Sequence, residues 1–107
     1  MKWLTICQGG NVRSVSMAYV LKYGYGQDAI AVSDEKTGDE AFSLLSAWAD
    51  LIIAMQPHFG ARVPVMHRSK LRVVDVGDDR WGNPLANELV EYLSGVAREW
   101  QARGWQI

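Results

Sequence analysis

The sequence is poor in residues that staple a chain or ligate a metal. It has one cysteine, Cys7, and two histidines, His58 and His67. A lone cysteine closes no internal disulfide, and one cysteine with two scattered histidines makes no convincing zinc site. An excess of one charge is missing too: 11 basic against 12 acidic residues leave a net charge of -1. No field therefore draws in nucleic acid or anionic lipid. No apolar run approaches the roughly 18 residues of a membrane span. The start, Met1-Lys2-Trp3-Leu4, leads into a strand rather than a signal sequence. The expectation is a cytoplasmic protein with no metal, cofactor, nucleic acid or membrane partner. Its oligomeric state is not legible.

What is present is core. At 107 residues, 49% of them hydrophobic, the chain can bury one ordinary core and reads as a single domain over residues 1–107. Leu4-Thr5-Ile6-Cys7 is a short apolar run ended by Gly9-Gly10, as for a buried strand leaving a sheet through a turn. From Ser14 to Tyr23, Met17, Ala18, Val20 and Leu21 recur at helical spacing, with Gly24 and Gly26 as stops. Asp28 to Val32 reads as a second strand. Thr37-Gly38-Asp39 offers caps for a helix carrying Phe42, Leu44, Leu45 and Trp48. Leu51 to Met55 is continuously apolar, as expected of a strand covered on both faces. Gln56 to Ser69, with Pro57, Gly60 and Pro64, reads as a connection, and Leu71 to Val74 as a less buried fourth strand. After a polar loop, Asn83-Pro84 predicts an N-cap and first turn. The helix beyond it would carry Leu85, Leu89, Leu93, Val96 and Trp100 on one face. The order predicts an α/β fold with a parallel sheet and helices on both faces, joined by right-handed crossovers. Ligands of such sheets bind beyond the carboxyl ends of the strands.

That is where Cys7-Gln8-Gly9-Gly10-Asn11-Val12-Arg13-Ser14 stands. A cysteine attacks only as thiolate, so a nucleophilic thiol needs surroundings that favour the anion. The first turn of the following helix and the Arg13 guanidinium would supply a positive terminus and a fixed cation. The backbone amides of Gln8, Gly9, Gly10, Asn11, Val12 and Arg13, curled about one centre, would donate to phosphate oxygens. Two glycines permit the angles such a nest requires. Arg13 can grip two phosphate oxygens with its fork, a geometry lysine lacks. The Ser14 hydroxyl can donate to the sulfur. A plain reading competes: a buried strand cysteine followed by an ordinary turn.

The stretch Ile6 to Ser14 resembles the active-site signature of the low-molecular-weight protein tyrosine phosphatases: a cysteine, five residues, arginine and serine after the first strand. Ala49 to Met55 resembles that family's third-strand segment. Asp78-Asp79-Arg80-Trp81-Gly82 resembles its late loop of aspartate, proline, two aromatics and glycine, which carries the general acid. The resemblance implies a three-layer domain with a four-stranded parallel sheet in the order 2-1-3-4. It also implies hydrolysis of phosphomonoesters, phosphotyrosine-like aryl phosphates above all, through a phosphocysteine. Cys7 would be the nucleophile, Arg13 the clamp and Asp78 the acid. Asp79 is the alternative acid, since the proline usual there is absent. The substrate would be a phosphorylated small molecule or a phosphotyrosine protein.

The chain departs from the family at several points. Gly10 replaces an asparagine that braces the loop, so either Asn11 takes over or the loop is less rigid. Val15 replaces a proline. Val12 replaces a second loop cysteine found in many members, so no intraloop disulfide can shield Cys7 from deeper oxidation. The segment between the first helix and Ala49 is much shorter, and substrate preference does not carry over.

Trp81 is placed to stack on an aryl leaving group or to cap the core, and His58 lies on the functional side or simply on the surface. Two further readings stand beside hydrolysis. One is arsenate reduction, for which the relay cysteines are missing. The other is a weak oxyanion-binding or phosphocarrier module, against which Arg13 argues.

Overall fold

The computed structural model describes residues 1–78 and 80–107; Asp79, the alternative acid, lies outside the described residues. Four strands, β1 (Lys2–Cys7), β2 (Asp28–Ser33), β3 (Leu51–Ala54) and β4 (Leu71–Val73), form one parallel sheet in the order 2-1-3-4. The expected fold class and strand order are both observed. β1 is central, with Cys7 level with Ser33 of β2 and Ile6 level with Ala54 of β3.

Three helices complete the layers: α1 (Arg13–Tyr19), α2 (Asp39–Trp48) and α3 (Asn87–Ala102). α1 packs on β1 and β2 and against α3, while α2 packs on β1. The chain runs from β1 outward to β2 and then back past β1 to β3. Right-handed crossovers in opposite directions put α1 and α2 on opposite faces. Double coverage explains the apolar central strands: Trp3, Leu4, Ile6, Ile52 and Ile53 are fully buried. Each such side chain contributes about 1.5–3 kcal/mol relative to exposure. Away from the carboxyl ends, Trp3, Trp100 and Trp105 stack with centroids 4.9–6.2 Å apart, tying α3 and the chain's last residues to β1.

Local chemistry departs from expectation at the helix ends. α1 begins at Arg13 and passes into a π-helical turn, Val20–Gly24; Gly26, with φ +66°, is the left-handed stop, whereas Gly24 is not. Thr37 does not cap α2. Its hydroxyl accepts from the Ser33 amide and closes the turn after β2, leaving Gly38 as the N-cap. Asn83 does not open the last helix either. Its side chain accepts from the Leu85 amide, closing a separate proline turn, and α3 starts at Asn87 behind Ala86. Leu85 is consequently 53% exposed, and Leu44, one of the apolar residues that α2 carries, is 65% exposed. The connection after β3 coils into two 3-10 helices, Pro57–Arg62 and Val65–Lys70. No helix among the described residues is long and apolar enough to cross a membrane.

Candidate active site

Cys7 ends the central strand and is 2% exposed. The Ser14 hydroxyl lies 3.1 Å from its sulfur, and the Gly10 amide donates to the same sulfur at 3.2 Å. Ser14 is fixed in turn, because the buried Thr5 hydroxyl donates to its carbonyl at 2.7 Å. The loop therefore curls back over the sulfur.

Gly10 makes the curl possible. Its φ is +67°, and a Cβ there would stand 2.8 Å from the Ser33 amide nitrogen and 3.0 Å from the Val32 carbonyl carbon. Any side chain would collide with the backbone of β2. Bracing comes from elsewhere, and Asn11, exposed at the rim, does not supply it. The Ser33 hydroxyl donates to the Gln8 carbonyl at 2.6 Å and accepts from the Lys36 amide at 2.9 Å. The Asp34 amide donates to the Cys7 carbonyl and the Glu35 amide to the Gln8 carbonyl. Gln8 also donates to the Glu35 carboxylate at 2.6 Å. The turn after β2 is clamped by Arg62, which donates to the Asp34 and Thr37 carbonyls and to the Asp39 carboxylate while lying over the Phe42 ring.

Arg13 opens α1 and is 1% exposed. Its Nη1 donates to Gln56 Oε1 at 2.6 Å and to the Gly77 carbonyl at 2.8 Å, and its guanidinium carbon lies 5.3 Å from the centre of the buried Phe59 ring. Nε is buried with no hydrogen-bond partner, and no carboxylate among the described residues pairs with the guanidinium. A buried cation is ordinarily paired, yet here the acceptors on the guanidinium are two neutral oxygens.

Asp78 follows Gly77 and is exposed; its Oδ1 accepts from Gln56 Nε2 at 3.4 Å. Cys7, Arg13, Ser14, Gln8 to Val12 and, through Gln56, Asp78 are thus gathered at the carboxyl ends of β1 and β3. His58 is exposed beside Phe59, with ring centroids 4.2 Å apart, one residue removed from the ring beneath Arg13. Trp81 lies under the Arg80 guanidinium and lines a cavity of about 210 Å³ with Asp75, Val76, Arg80 and Tyr92. Neither residue hydrogen-bonds to the loop. Ser33, Arg62 and Gln56 escaped the sequence reading. The one signal available was position: Ser33 and Gln56 are polar residues just where buried strands give out on the ligand side.

No protein-family model and no curated protein matches the sequence. Solved structures do. Wzb of Vibrio vulnificus, in complex with benzylphosphonate, superposes with a TM-score of 0.72 at 16% identity, covering 95% of this chain and 97% of that one. The tyrosine phosphatase Wzb of Escherichia coli K30, in complex with phosphate, gives 0.65 at 16% identity over 95% and 96%. The YwlE arginine phosphatase of Geobacillus stearothermophilus gives 0.64 at 18% identity over 95% and 94%. The chain has the fold of the low-molecular-weight tyrosine phosphatases, the fold that its three sequence patches resemble.

Proposed function

We propose that the protein is a phosphatase that hydrolyses phosphomonoesters, aryl phosphates above all, through a phosphocysteine on Cys7. One observation carries the reading. Arg13 is buried, fixed by two hydrogen bonds that a single nitrogen donates, and left with an unpartnered Nε one residue before the serine that touches the cysteine sulfur. An oxyanion at the loop supplies the missing charge. The phosphatases with the same fold, crystallised with phosphate or a phosphonate, support the same assignment.

The chemistry follows from the groups present. The Cys7 thiolate attacks phosphorus; the sulfur–phosphorus bond forms as the bond to the leaving oxygen breaks, and that oxygen takes a proton from Asp78. The nest amides and Arg13 stabilise the charge on the equatorial oxygens. Water then attacks phosphorus, gives its proton to Asp78, and phosphate departs as the thiolate is restored. The Ser14 hydroxyl steadies the sulfur in both steps.

Purified protein should hydrolyse 4-nitrophenyl phosphate in the presence of EDTA and be inhibited by vanadate. Activity that survives in Cys7→Ser would end the mechanism. Phosphate binding with slow turnover that Asp78→Asn leaves unchanged would move the assignment to an oxyanion-binding module.

A further inference from the structure

Gln56 stands between the two charged groups of the site and satisfies each with a different atom. Its Oε1 accepts from Arg13 Nη1 at 2.6 Å, and its Nε2 faces Asp78 Oδ1 at 3.4 Å. The orientation of the amide is not arbitrary, because only the oxygen can accept from a guanidinium. The same Nη1 donates to the carbonyl of Gly77, one residue before Asp78. The start of the acid loop is anchored as well: the Val76 amide donates to the Met55 carbonyl, and the Gly77 amide, at φ +75°, donates to the Asp75 carboxylate. The end of β3, the guanidinium and the acid loop meet at one nitrogen.

We infer that Gln56 is a positioning residue that couples the Arg13 clamp to the Asp78 acid, resting on the phosphatase reading above. A neutral amide suits this place better than either obvious substitute. A carboxylate at 56 would neutralise Arg13, whose charge the substrate needs, and would repel Asp78. An apolar side chain of equal length would leave Nη1 one acceptor short and take from Asp78 the amide that donates to it. By occupying Oδ1, Gln56 leaves Oδ2 to carry the proton that passes to the leaving oxygen.

The test compares a good and a poor leaving group, 4-nitrophenyl phosphate and phenyl phosphate, since only the second needs the acid strongly. Gln56→Met should lower kcat on phenyl phosphate about 10-fold more than on 4-nitrophenyl phosphate. Gln56→Glu, which still offers an acceptor to Arg13 but opposes Asp78, should show the same bias. In an Asp78→Asn background, Gln56→Met should leave the ratio of the two substrates unchanged, because the group it positions is gone. A merely structural role lowers both substrates alike, so an unaltered ratio in the single variants, or ratio effects that simply multiply in the double variant, overturns the inference. A second arm stands apart from turnover. Inorganic phosphate, titrated calorimetrically, should bind Gln56→Met about 10-fold more weakly than the unaltered protein. Equal affinity overturns the inference even if neither protein hydrolyses an ester, an outcome that would separately remove the phosphatase reading.

Discussion

At the scale of single residues, Gly10 shows how a departure from a family pattern can be compensated by its surroundings. An asparagine tolerates left-handed backbone, yet here the Ser33 amide stands 2.8 Å from where its Cβ would be. Gly10→Asn, although it restores the residue usual in the resembling family, should therefore disable the loop, as should Gly10→Ala. Each is expected to cost at least about 2 kcal/mol of stability in urea unfolding and to abolish phosphate binding. Ser33→Ala should cost about 1–3 kcal/mol, because it orphans the Lys36 amide and leaves the Gln8 carbonyl with the Glu35 amide alone. The loop itself was legible in sequence, since cysteine, glycines, arginine and serine fall at fixed offsets from a strand. Its brace was not. Ser33 is 19 residues beyond Ser14 and meets the loop only because β2 lies beside β1 in register.

At the scale of elements, the apolar pattern placed the four strands and the three α-helices, and it failed where side chains choose between competing backbone partners. Thr37 and Asn83 are both good caps on paper. Each instead closes a tighter turn nearby, and both helices begin without a side-chain cap. That choice leaves stability to be gained. Ala86→Ser should supply the missing acceptor to the first turn of α3 and raise stability by about 1 kcal/mol, seen as a rise of several degrees in the thermal midpoint. The change lies outside the loop and should leave hydrolysis untouched. The 3-10 helices after β3 were hidden for a different reason: prolines and a glycine announce a break in regular structure without specifying what fills it.

At the scale of the whole molecule, the anion site proposed at Arg13 would make folding and anion binding one equilibrium. Phosphate or vanadate at about 100 times its dissociation constant should stabilise the protein by about 2.7 kcal/mol, a rise of roughly 10 °C or more for a domain of this size. Arg13→Met should lose that rise entirely, and a full shift in this variant would mean that the anion binds elsewhere. The sheet order adds a consequence in time. Of the four strands β1 is made first but sits in the middle, so Cys7 leaves the ribosome long before its neighbours in β2 and β3 exist. Arg13 waits longer still, for a glutamine 43 residues and a glycine carbonyl 64 residues downstream. A nascent or truncated chain ending before Gly77 carries the whole recognisable motif and lacks one of the two fixed acceptors of its clamp, so on the proposed reading the loop gains its reactivity toward phosphate esters only once Gly77 has been made.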